Sequence, residues 1–147
     1  MFRHVEATFI LAAITICAPA SSSNASAQSR QAPEPYVLVG VDCNDEEYVK
    51  SILDHAAISA GAGGSIIIIA RFGTGENSRK LMRRRLFAPN SYLVARRGVS
   101  QSRVITAEGE RVRGLGQVEI YVSGELFVTF KMKRNRDFAS GGCPPVG

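Results

Sequence analysis

Gly63-Gly64-Ser65-Ile66-Ile67-Ile68-Ile69-Ala70-Arg71-Phe72-Gly73 is the stretch on which the fold turns. Four consecutive isoleucines, entered through a pair of glycines and left through a glycine-bearing loop, are too short for a helix. They read as a buried strand. A helix is expected over Ser78-Arg79-Lys80-Leu81-Met82-Arg83-Arg84-Arg85-Leu86-Phe87, followed by strand patterns at Arg103–Glu110 and Gln117–Val122. If Val104-Ile105 runs parallel to the isoleucine run, the intervening helix is a βαβ crossover.

On the N-terminal side, Tyr36-Val37-Leu38-Val39-Gly40-Val41 reads as a first strand that ends at Asp42-Cys43. Asn44 is the expected cap of a first helix, with Asp45, Glu46 and Glu47 favoured in its first turn by the helix dipole. Val49, Ile52, Leu53 and Ala56 recur at helical spacing and are expected to face a sheet, with His55 near that side. Gly61, Gly63 and Gly64 end the helix.

Beyond the isoleucine run, Met82, Leu86 and Leu93 share one face of the second helix. Pro89 lies on the same side, where it is expected to kink the helix or end it at Ala88. Arg79, Lys80, Arg83, Arg84 and Arg85 are expected on the solvated faces. Val118, Ile120 and Val122 alternate with Glu119 and Tyr121, as a half-exposed strand does. Ser123-Gly124-Glu125 then turns the chain so that Leu126–Phe130 returns antiparallel. The fold class expected from this order is α/β, an α+β sandwich: a βαβαββ mixed sheet with two helices packed on one face.

The ends carry different information. Arg3 and His4, the apolar run Phe9–Ile16 and the small residues Ala25-Ser26-Ala27 form the three-part pattern of a secretory signal peptide over residues 1–27. Its apolar part is short for a membrane span, so no span is expected after cleavage. Residues 28–35 are polar and proline-bearing and read as a linker, 36–132 as the domain, and 133–147 as a basic, then Gly/Pro-rich tail. An exported chain of this kind is expected in the periplasm or secreted. After cleavage it retains two cysteines, Cys43 and Cys143, which in an oxidising compartment are expected to form a disulfide that pins the tail. A loop of about 100 residues closed in this way contributes roughly 4–5 kcal/mol in the chain-entropy model.

The net charge of +5 comes from 18 Lys and Arg against 13 Asp and Glu. Outside the cytoplasm the anions at hand are cell-wall carboxylates, lipid phosphates and acidic proteins, and a solvated basic surface accounts for the charge equally well. Aromatic residues are not interleaved with the arginines as base stacking requires, so nucleic acid is not an expected partner. The loop Arg71-Phe72-Gly73-Thr74-Gly75-Glu76-Asn77 has glycines that permit close approach of a ligand. It lacks the Gly-Lys-Ser/Thr that closes a Walker loop. His55 is the single histidine of the mature chain, so neither a Ser-His-Asp set nor a zinc cluster can be assembled. Glu108 and Glu110 read as a solvated pair at a strand end. No enzyme activity, cofactor or metal is expected.

From Ile66 to Val122 the order of residues resembles the OmpA-like peptidoglycan-binding domain. The correspondence runs through Arg84-Arg85, Tyr92-Leu93, Gly98, Arg103-Val104, Gly109-Glu110 and Val118-Glu119-Ile120. It covers about half of the mature chain and rests on the order of these pieces. The family holds diaminopimelate with an aspartate after the strand, for the ammonium, and an arginine on the next helix, for the carboxylate. Its distance to Tyr92-Leu93 makes Arg85 the counterpart of that arginine. The aspartate has no counterpart, because the chain reads Ala70-Arg71-Phe72-Gly73 there, and Glu76 is the nearest carboxylate.

The resemblance implies a non-catalytic binding domain of the bacterial envelope that contacts peptidoglycan. The expected ligand-binding set is Arg85, Arg84, Arg71, Glu76 and Thr74. The alternative is a diverged domain that binds another envelope protein through the basic helix or the 126–132 strand as an edge.

Overall fold

The isoleucine run forms the strand β2 (Ile66–Arg71), and its alternation of buried and half-buried residues shows that one face is covered and the other open. The computed structural model describes residues 34–138. Around β2 the elements follow as β1 (Tyr36–Val41), α1 (Glu46–Ala60), then α2 (Arg79–Ser91), β3 (Val104–Glu108), β4 (Gln117–Val122) and β5 (Glu125–Met132). The strands form one mixed sheet in the order β1-β5-β4-β2-β3. The fold class is thus α/β as read from the sequence, a two-layer sandwich with both helices on one face, although its order is βαβαβββ, one strand more than the expected βαβαββ.

Pairing explains the order. β2 and β3 are parallel in unbroken register from Ile66↔Val104 to Ala70↔Glu108, so α2 is the crossover of a βαβ unit. β4 returns antiparallel to β2, and β5 pairs antiparallel to β4 through the Ser123-Gly124 turn. There Ser123 and Gly124 both take positive φ, 52° and 89°, which matches the right-handed twist of a tight hairpin. Ile66, Ile68, Ala70, Val118, Ile120, Val128 and Phe130 are all fully buried on the helix side, against Val49, Leu53 and Ala56 of α1 and Met82 and Leu93 beyond.

Several local expectations are corrected. Asp42, not Asn44, is the cap: its carboxylate accepts from Asn44 N at 2.8 Å in a capping box that closes the short 3-10 turn Cys43–Asp45 ahead of α1. His55 is exposed rather than near the sheet, because Val49, Leu53, Ala56 and Ala60 form the buried stripe. α2 does not stop at Ala88. It runs through the buried Pro89 to Ser91 and continues as a π-helical turn, Tyr92–Arg96, in which Arg97 N donates to Tyr92 O at 3.2 Å. Met82 and Leu93 pack into the core and Pro89 is buried between them, so burial holds the helix together across the proline, and the wider turn follows it.

The 126–132 segment is not an edge. β5 lies between β1 and β4, pairing with β1 in parallel from Tyr36↔Val128 to Val41↔Met132, so the two edges of the sheet are β1 and β3. Residues 133–138 are held by more than a cysteine. Phe138 is buried edge-on to Phe130, with ring centroids 5.3 Å apart, and Lys133 Nζ donates to Asp42 Oδ2 at 2.6 Å. The expected signal peptide, the linker up to residue 33 and Cys143 lie outside the described residues, as does the side chain of Cys43, and with them the expected disulfide.

Candidate functional site

Arg85 and Glu76 are the most deeply buried charged side chains of the described chain, 0% and 2% exposed. Arg85 was expected on a solvated face. The register of α2 instead places it beside Met82 and Pro89, on the face turned to the sheet. Its Nη1 and Nη2 donate to Glu76 Oε2 and Oε1, both at 2.7 Å, and its Nε donates to Arg136 O at 2.9 Å. Glu76 also accepts from Gly73 N and Asn135 N, each at 2.9 Å. The position where the resemblance places a ligand's carboxylate is therefore filled by a carboxylate of the chain itself. Burial pushes the Glu76 acid up, yet the Arg85 hydrogen bonds and the Gly73 and Asn135 amides overcome it and hold it at about 2.

This pair ties three segments together: the loop after β2, the helix α2 and the chain after β5. The glycines around it have the same purpose. A Cβ on Gly116 would collide with Glu76 Oε2 and Arg85 Nη1, and one on Gly73 would meet the backbone of Gly114–Gly116. What approaches Gly73 closely is thus the β3–β4 loop. Thr74 joins the same contact: its N–H donates to Gly114 O at 2.8 Å, and its Oγ1 accepts from Gly114 N at 3.0 Å. Arg111 lies over the Phe72 ring at 5.3 Å and donates to Gly73 O and Glu76 O at 2.7 and 2.5 Å.

Arg71 lies away from this cluster, on the open face of the sheet. Its Nε and Nη2 donate to Glu119 Oε1 and Oε2 at 3.0 and 3.2 Å. Gln117 and Tyr121 complete the Glu119 carboxylate, and burial together with the Glu119 charge raises the Tyr121 phenol. Arg103 donates to the carbonyls of Gly64 and Gly61, so it braces the turn before β2. Part of the positive charge read from composition, at Arg71, Arg85, Arg103 and Arg111, therefore braces the chain's own carbonyls and carboxylates. Guanidinium groups suit that task because their five donors reach several carbonyls at once.

Other cations face solvent. Lys80, Arg83 and Arg84 project from α2 beside Phe87, which is 68% exposed. Arg84 pairs with Asp137 at 2.5 Å but stays half-exposed. α2 and the π-turn also flank a groove of about 650 Å³ against α1, which Arg84 and Phe87 border from this patch. Val49, Leu53 and Tyr92 are among its lining residues, and Lys50, Arg84, Arg96 and Arg97 bring positive charge to it. Arg97 and Tyr92 both reach Asp54, at 2.9 and 2.8 Å.

Of the expected binding set, then, Arg85 and Glu76 are brought together as an internal pair, with Thr74 close by. Arg71 lies on the opposite face of the sheet and Arg84 on the helix surface. The Glu119 cluster escaped the sequence reading, which took Glu119 for a solvated strand residue. The available signal was an arginine on a neighbouring strand with the same facing. Among the described residues no group of His, Cys, Asp and Glu is placed to hold a metal ion, and no helix is long and apolar enough to cross a membrane. No family model matches the chain, and no curated protein or solved structure matches it significantly.

Proposed function

We propose that this chain is a non-catalytic binding domain of the bacterial envelope, exported to the periplasm or beyond, that recognises an anionic partner protein through the exposed basic side of α2. The observation that carries this reading is the division of the arginines. Arg85 is sealed against Glu76, while Lys80, Arg83 and Arg84 stand in solvent around an exposed Phe87. An aromatic side chain ringed by cations is the composition of a protein-binding surface more than of a solvated helix. The export signal and the resemblance to OmpA-like domains support an envelope setting and come from the sequence alone.

Peptidoglycan is the second reading, and it retains the order of motifs in its favour. Against it stand the missing aspartate and the internal carboxylate on Arg85. The test is retention of envelope proteins and of purified diaminopimelate-type peptidoglycan on the immobilised chain across a salt series, beside Arg83→Glu. Capture of a specific protein that is lost in Arg83→Glu supports the first reading. Retention of peptidoglycan that survives physiological salt and ignores Arg83→Glu overturns it in favour of the wall.

A further inference from the structure

Among the described residues the sheet ends on β3, whose residues 105–108 are exposed. We propose that the free edge of β3 is a docking site for an extended acidic segment of a partner protein, which adds there as a sixth strand alongside Arg79 and Arg83 of α2. This rests on the reading of the chain as a binding domain and names the surface and the chemistry of its partner.

The backbone sets the geometry. Gly109 N donates to Ala70 O at 2.9 Å, continuing the β2–β3 ladder, which has no bulge. Residues of a parallel strand alternate between neighbours, so Gly109, Ala107 and Ile105 turn their backbone groups toward β2. Thr106 and Glu108 then present N–H and C=O outward, while the Val104 N–H is taken by Gln101 O in the turn that leads into the strand. Natural edge strands are blunted by proline, a bulge or a mid-strand lysine, and Val104-Ile105-Thr106-Ala107 has none of these. The other edge is blunted: β1 has a register break between Val39 and Val41, with Gly40 at φ 79°.

Side chains on the two faces of that edge specify the occupant. On the helix side, Arg79 Nη1 lies 3.2 Å from Glu108 Oε2, which marks the flank of α2 that overlooks β3. Arg83 follows one turn later on the same flank, exposed and without an ion-pair partner among the described residues. On the open side Ile105 is 50% exposed and Ala107 is exposed, beside the half-buried Ile67 and Ile69. Alternate residues of an added strand point to opposite faces. The segment that fits has carboxylates on one side, toward Arg83, and β-branched apolar residues on the other. A second copy of this chain fits poorly, since edge-to-edge pairing of β3 would bring two such basic helices together.

The test uses a capped peptide of alternating Glu and Val, with alternating Lys and Val as its control, on the purified chain. The expected result is slowing of amide exchange at Thr106 and Glu108 by about tenfold or more with the acidic peptide and none with the basic one. Arg83→Glu should weaken binding by about tenfold while leaving the thermal melt unchanged. Thr106→Pro removes an outward N–H that no ladder bond uses, so the chain should fold and lose the peptide. If that variant unfolds, the exchange pattern and Arg83→Glu decide the matter. Equal binding of the basic peptide, protection confined to the α1–α2 groove, or a dimer already protected at these amides without peptide would each overturn the proposal. Arg83-dependent binding with β3 unchanged would overturn edge pairing and leave the basic-surface reading intact. Peptide binding indifferent to Arg83 would overturn both.

Discussion

Glu76→Gln keeps the shape of the side chain and removes its charge, leaving Arg85 buried without a counter-ion. Two routes give the size of the effect. The Glu76 acid is held at about 2 against an ordinary 4.5, and a shift of that size corresponds to about 3 kcal/mol of stability at neutral pH. Breaking a buried pair from one side costs about 3–5 kcal/mol, because the remaining charge is left uncompensated. Since a domain of this size is stable by about 5–15 kcal/mol, either figure is a large share of the whole.

The sign with pH follows from the lowered acid. The carboxylate's contribution is complete above its unfolded value, near 4.5, and is lost as pH falls toward 2. At pH 3 the linkage relation leaves about 1.4 kcal/mol of it. Urea unfolding of the wild type and Glu76→Gln at pH 7 and pH 3 is the assay. The difference between the two proteins should shrink by about 2 kcal/mol between those pH values. Arg85→Met should cost as much as Glu76→Gln at pH 7, and Glu76→Met with Arg85→Met should cost less than the sum of the two single changes. Losses below about 1 kcal/mol for both single variants, or strict additivity, would refute the view of this pair as the clasp of the domain. The same numbers explain why Arg85→Ala is a poor test of ligand binding: lost binding would follow from lost structure.

Gly116→Ala should destabilise by about 2 kcal/mol or more, because the added methyl displaces Glu76 and Arg85; a melt unchanged within a degree would contradict the close packing described. Glu119→Ala should lower the melting temperature and, with its charge gone, bring the Tyr121 phenol closer to its ordinary value, as read by ultraviolet titration; a phenol that titrates unchanged would remove the cluster as a structural unit. Peptide mapping of the exported protein without reductant should recover Cys43 joined to Cys143, and reduction should lower its stability. Two free thiols there would mean that the tail is held without a covalent link, through contacts such as those of Phe138, Lys133, Asn135 and Asp137.

What the sequence determined by itself is the succession of elements. The four isoleucines, the alternation at Val118–Val122 and the apolar stripe of α1 are local periodicities. A strand or a helix needs only such spacing to bury one side. Parallel pairing of β2 with β3 was only a condition in the sequence: the structure meets it, whereas the same strand–helix–strand pattern at β1–α1–β2 leaves its two strands apart, with β5 and β4 between them. The fate of Arg85 was not legible. An arginine amid arginines on a helix looks solvated until Glu76, Asn135 and Arg136 arrive from other parts of the chain. Pro89 looked like a break for the same reason, until Met82 and Leu93 were seen to hold the helix on either side of it. The sheet order likewise rests on long-range pairing, and that pairing put β5 inside the sheet and left β3 as the open, regular edge. Tertiary structure alone decided which charges became internal and which strand faces a partner, because both depend on contacts between residues far apart in the chain.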